Sequence, residues 1–139
     1  MAGDWTRQDE IRSERVRKAL DWGDRMKAIV NGTTDDDWDV LVPMIDPDRF
    51  VRRGNERDQE LRWPAYRELL VQWKDVGGVY DNTLFRATEA GDVVYLDLDE
   101  RSERPDGTVN TLRSISIYAF DDQDRIVSVD VCMGFHQPA

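Results

Sequence analysis

Three carboxylates in the C-terminal half are the residues best able to move protons. Asp97 and Asp99 stand two apart in the alternating stretch Val93–Glu103, and Asp130 lies in a second alternating stretch, Arg125–Phe135. Alternate residues of a strand share a face, so Asp97 and Asp99 project together, about 6.6 Å apart. Acids crowded into a dry pocket cannot all ionise as easily as isolated ones, so at least one is expected to titrate high. Such a carboxyl suits general acid or base work near neutrality. Around them, Tyr95, Ser116 and Tyr118 offer hydroxyls. Arg52-Arg53 offers charge for a carboxylate or a phosphate, and Trp63 and Trp73 offer apolar pocket walls. A lone histidine, His136, and a lone cysteine, Cys132, rule out a histidine-rich metal site and an internal disulfide. No glycine-rich phosphate loop or Cys/His metal spacing is present, so neither a cofactor nor a metal is expected.

The strands must bring these residues together, and turn chemistry sets their register. Asp106-Gly107 is a strong two-residue hairpin signal. Taken as the turn, it sets Leu98 opposite Ile115 and Asp97 opposite Ser116. With Phe120 opposite Ile126 across the next turn, Ser116 faces Asp130 and Ile117 faces Val129. Asp97, Ser116 and Asp130 then form one row, with the two acids about 10 Å apart at the backbone. One face is wholly apolar, running from Val94, Leu96 and Leu98 through Ile115 and Ile117 to Val129 and Val131. The other carries Tyr95, Asp97, Asp99, Ser116, Tyr118 and Asp130. A one-residue slip would mix the two faces. On register alone, the apolar face packed on helices with the acids in solvent is enough for a folded monomer.

Upstream the period changes to that of helices. A first helix is expected over Thr6–Val30, capped by Thr6 with Asp9 three residues on, carrying a stripe of Val16, Ala19, Leu20, Gly23, Met26 and Val30. A short second helix follows from Thr34 and is limited by Pro43. Arg49–Arg53 reads as a short strand, and Pro64 opens a third helix that Gly77-Gly78 ends. Four strands then follow, over about 79–88, 93–103, 108–120 and 125–135.

The chain of 139 residues suits a single domain, 1–139, large enough for one core and one pocket. Acids outnumber bases 29 to 19, for a net charge of −10. Such a surface repels phosphate, so nucleic acid and anionic membrane are not expected partners. No apolar run is long enough to span a bilayer, and the N-terminus lacks a secretory h-region, so a cytoplasmic protein is expected.

The order of elements resembles the nuclear transport factor 2-like superfamily, in particular its SnoaL-like polyketide cyclases and limonene epoxide hydrolase-like enzymes. The likeness runs from about Val16 to Phe135. It rests on the long first helix, the strand Arg49–Arg53 followed by Gly54, the helix Pro64–Trp73, and the closing stretch Ile115–Val131 with its aromatic, acidic turn, basic, Ile ending. The resemblance implies an α+β cone: a curved, mainly antiparallel sheet wrapped on three N-terminal helices around an internal pocket. It also implies a homodimer joined through the outer sheet face. That would turn the acidic face into the pocket and the apolar face toward a partner subunit. It implies a cofactor-independent enzyme that cyclises or isomerises an apolar polyketide-, terpenoid- or steroid-like substrate. In it Asp97, Asp99 and Asp130 would be the catalytic carboxylates, and Tyr95, Ser116, Tyr118, Arg53, Trp63 and Trp73 would contact substrate. Epoxide hydrolysis is the alternative, although the arginine of the hydrolases' Asp-Arg-Asp set is missing from its place beside Asp99. A non-catalytic ligand-binding or dimerising module is the other.

Overall fold

The computed structural model describes residues 13–135. Helix α1 spans Glu14–Val30, with Ser13 capping it by accepting from the Val16 amide. The expected start at Thr6, with Asp9, lies outside the described residues, as does His136. One side of α1 buries Val16, Ala19, Trp22 and Ile29. A 3-10 helix follows at Trp38–Met44. Asp37 caps it through the Asp39 amide, and Pro43 lies inside it. Proline is tolerated in so short a helix because few amides have a partner to lose. Helix α2 spans Trp63–Val76, with Pro64 in its first turn, where a missing N–H costs nothing. Gly77 and Gly78 end it in left-handed conformations, at φ 82° and 101°. A Cβ on Gly78 would clash with the Glu103 carbonyl oxygen.

Among the described residues six strands form one sheet: β1 (Val51–Arg53), β2 (Glu60–Leu61), β3 (Val79–Ala90), β4 (Val93–Glu103), β5 (Val109–Phe120) and β6 (Ile126–Phe135). Their order is β2-β1-β6-β5-β4-β3. Only the β1–β6 pair is parallel. The α1, α2 and 3-10 helices lie against one face. The core joins Trp22, Trp38, Leu41 and Phe50 to Val94, Phe120, Ile126 and Val129 of the sheet. Phe50 is the hub of an aromatic cluster, with ring centroids 5.7 Å from Trp22, 6.0 Å from Trp63 and 6.0 Å from Tyr66. The α+β cone expected from the sequence is the observed architecture.

The expected register is corrected at both hairpins. Between β4 and β5 the loop has three residues, Pro105-Asp106-Gly107, closed by Arg104 N–H donating to Thr108 C=O at 2.8 Å. A two-residue Asp-Gly turn needs positive φ at both positions, and here Gly107 alone has it, at 89°. Asp97 therefore faces Ile115, and Leu96 faces Ser116. Between β5 and β6, Phe120 does face Ile126. The ladder then shifts past Val127, so Ser116 faces Val131 and Ile117 faces Asp130. A bulge of this kind adds one residue to one strand and re-aims everything beyond it. The two offsets keep Val94, Leu96 and Leu98 of β4 on one face with Val129 and Val131 of β6, as expected, but that face is turned to the helices, and β5 is inverted. Ser114, Ser116, Tyr118 and Phe120 point to the helices, and Ile115 and Ile117 point outward.

Candidate functional site

The helices and the inner sheet face do not close completely on each other. They leave a cavity of about 840 Å³, floored by the middle of the sheet and roofed by α1 and α2. Leu20, Met26, Leu70, Leu96, Leu98 and Val131 make much of its wall apolar. Leu20, Gly23 and Met26 are the part of the α1 stripe that faces this space rather than the packed core.

A polar network is set into one wall. Tyr80 and Asn82 on β3 lie on the same face as Glu100 on β4, with Asn82 directly opposite Glu100. The Tyr80 hydroxyl donates to Glu100 Oε1 at 2.6 Å, and Asn82 Nδ2 donates to the Tyr80 hydroxyl at 3.3 Å. Tyr80 is held from several sides. The Asn31 side chain, just past the end of α1, donates to its carbonyl and accepts from its amide, both at 2.8 Å. Trp73 on α2 meets its ring edge-on at 5.2 Å. Burial and the adjacent Glu100 carboxylate push the Tyr80 hydroxyl well above the ordinary tyrosine range.

Tyr118 and Tyr66 line the same cavity and are 5% exposed. Burial raises the Tyr118 hydroxyl strongly, with the Tyr66 hydroxyl and Glu100 adding to it. Burial also raises Tyr66, against a partial opposing pull from the Arg52 guanidinium. Each therefore remains a hydrogen-bond donor at neutral pH. Arg52 alternates with its neighbours on β1, pairs with Val129 of β6, and reaches the cavity with its guanidinium carbon 5.6 Å from the Tyr66 ring centroid.

Of the residues singled out from the sequence, Ser116, Tyr118 and Trp73 line the cavity. Trp63 is a core residue at 7% exposure, packed on Trp22 and Phe50, and is not in the cavity wall. Tyr95, Asp97, Asp99 and Asp130 share the outer sheet face with Ile115 and Ile117, so their expected place in the pocket is corrected. Arg113 lies on that outer face too, where its Nε and Nη2 donate to the two Asp97 oxygens at 3.2 and 3.0 Å. Arg53 points away from the cavity and joins Asp130 at 2.9 Å and Glu60 at 3.0 Å. The crowding of three acids in a dry pocket is thus absent. Glu100, Tyr80, Asn82 and Tyr66 are the polar groups that reading the sequence missed, and of the pair Arg52-Arg53 it is Arg52 that reaches the cavity. Glu100 carried a signal, since it continues the even-numbered series Val94, Leu96, Leu98, whose inner three are apolar.

Among the described residues no cluster of three or more His, Cys, Asp or Glu could hold a metal ion. None of their helices is long and apolar enough to cross a membrane.

No protein-family model matches the sequence. No curated protein matches it significantly. Solved structures do match. A protein from Shewanella denitrificans OS-217 assigned as a SnoaL-like polyketide cyclase is 13% identical, with a TM-score of 0.67 over 88% of this chain and 92% of that one. A nuclear transport factor 2-like protein of unknown function from Exiguobacterium sp. 255-15 is 16% identical, with a TM-score of 0.63 over 81% and 98%. SalBIII, an epoxide hydrolase/cyclase-like enzyme of pyran ring formation in the polyether salinomycin, is 17% identical, with a TM-score of 0.63 over 87% and 91%. At these identities the likeness speaks for the architecture, and the architecture of this chain is the nuclear transport factor 2-like cone.

Proposed function

We propose that the protein is a cofactor-independent acid–base enzyme that isomerises or cyclises an apolar small molecule, with Glu100 as its base. The observation that carries this reading is the Tyr80–Glu100 hydrogen bond on the wall of an otherwise largely apolar cavity. The cavity volume falls within the usual range of small-molecule pockets, about 300–1,000 Å³. Tyr80 fixes one carboxylate oxygen, and Oε2 is left to meet a substrate C–H. Glu100 would take a proton from a carbon flanked by a carbonyl and return it at a second carbon, or leave the first carbon to attack an electrophile within the same molecule. The Tyr118 hydroxyl, which stays protonated, would donate to the enolate oxygen as negative charge develops there. The cyclase-like neighbours support this class of chemistry. With Asp97, Asp99 and Asp130 turned away from the cavity, epoxide opening by an aspartate pair has no support from its wall. The single cysteine fits a reducing cytoplasm, where we place the protein.

The test needs no knowledge of the natural substrate. A panel of apolar cyclic ketones is incubated with the protein in deuterated water, and deuterium uptake next to the carbonyl is read by mass spectrometry. Glu100→Gln is expected to keep ligand binding and to lower exchange about 10²–10⁴-fold. Equal exchange by the wild-type and variant proteins would reject Glu100 as the base.

We also propose that a second copy of the chain covers the outer sheet face, where Ile115 and Ile117 are half-buried and Tyr95 is 40% exposed. Sedimentation should give twice 16.2 kDa. Ile117→Glu should give a folded monomer. A wild-type monomer at micromolar concentration would reject the dimer.

A further inference from the structure

We propose that Arg52 makes this cavity a receptor for apolar carboxylates, binding the carboxylate at the β1 end while the rest of the molecule extends toward Glu100. The proposal rests on the same cavity as the reading above and names its substrate class.

Among the described residues, Arg52 is the cavity-wall cation that forms no salt bridge. The neighbouring Arg53 is satisfied twice over, by Glu60 and Asp130. Lys27, the other cation in the cavity wall, is paired with Asp81. Arg52 forms no salt bridge among the described residues, and its buried Nε has no hydrogen-bond partner. A half-buried guanidinium without an anion is costly, because it gives up hydration and gains no charge partner. Its visible partner is Tyr66, whose ring centroid lies 5.6 Å from the guanidinium carbon and whose hydroxyl interacts with the same group. A single neutral hydroxyl supplies no counter-charge and cannot occupy all the donors of the fork, which leaves others for a planar anion. Nε itself is sealed off, so an incoming carboxylate would meet the Nη groups, the charge-assisted geometry that favours carboxylates.

The sheet register places this charge far from the base. Arg52, Val129, Tyr118 and Val94 stand in one row across β1, β6, β5 and β4. Glu100 comes three side-chain repeats after Val94 on the same face, about 20 Å along the strand at the backbone, while the Tyr66 and Tyr118 side chains lean back into electrostatic range of its carboxylate. The surface between is made by Leu96, Leu98, Val131 and Ser116. A ligand touching both ends spans this mainly apolar surface, with its negative charge at one end. It would carry the charge away from Glu100, where a second anion would be repelled.

The experiment uses two fluorescent probes with the same apolar body, 1-pyrenebutyrate and 1-pyrenebutanol, titrated into the whole protein near neutral pH. The wild-type protein is expected to bind the acid about tenfold or more tightly than the alcohol, the size of one charge-assisted hydrogen-bonded contact. Arg52→Gln should reduce that preference to about one without changing the affinity for the alcohol, and Arg52→Lys should restore part of it. Equal affinities in the wild-type protein would overturn the proposal without recourse to any variant, as would a preference that survives Arg52→Gln. Failure of both probes to bind would overturn it together with the cavity reading. A preference that persists in Glu100→Gln supports it, and does so even if no ketone exchanges deuterium, because that result would remove only the base.

Discussion

Raising the pH tests the cavity wall directly. Tyr66, Tyr80 and Tyr118 are all held above the ordinary tyrosine range, chiefly by burial. An exposed tyrosine in the unfolded chain ionises near pH 10. Above that pH the unfolded state has released these protons and the folded state has not, so stability falls as pH rises. Tyr80 and Tyr118, both raised strongly, each contribute about 1.4 kcal/mol per pH unit in that window, or about 3 kcal/mol per unit together, and Tyr66 acts in the same direction. Their stabilising contribution is intact below pH 10 and would shrink until the raised folded values are reached. One and a half units above pH 10 the loss from these two is about 4 kcal/mol, a large part of the stability of many domains. The assay follows tyrosinate absorbance near 295 nm and far-ultraviolet circular dichroism together. It is done in Tyr95→Phe, which removes the tyrosine on the outer face. The chain has four tyrosines, so the remaining signal belongs to the three on the cavity wall. Ionisation and loss of secondary structure should coincide in one steep transition above about pH 11. Smooth titration near pH 10 with the fold intact would show the three hydroxyls to be solvated, and would refute a dry, tyrosine-lined cavity.

Two further substitutions probe the register and the joint before β3. Asp97→Asn removes one side of the Arg113 pair on the outer face. That exposed pair is screened by solvent and contributes little to stability, so the melting temperature should change little and deuterium exchange should persist. Loss of exchange in Asp97→Asn would return the aspartate to the site. Gly78→Ala drives a methyl into the Glu103 carbonyl oxygen at a φ of 101°. It should cost about 3 kcal/mol or more in chemical denaturation, and a near-neutral result would refute the close approach of the chain there.

Local chemistry alone made the kind and order of the elements legible. The 3.6-residue stripe of α1, Pro64 and Gly77-Gly78 around α2, and the alternation of β4 act over a few residues, and tertiary packing does not overrule them. Strand β4 matches its expected bounds, and β3, β5 and β6 lie within about two residues of theirs. The small strand β2 gave no signal, because two residues carry no period. Which residues face the cavity depends instead on the parity of two ladders. A three-residue loop at Pro105–Gly107 and one bulged residue at Val127 set that parity. One residue inverts a strand, so an error too small to disturb β5 as an element exchanged Ile115 and Ile117 for Ser114, Ser116 and Tyr118. The three aspartates looked catalytic because they were close in register. The folded chain turns them outward, two of them onto arginines, and leaves Glu100, Tyr80 and Arg52 on the cavity wall. Those three come from β4, β3 and β1, and their meeting depends on sheet curvature and helix packing, which no local pattern in the chain encodes.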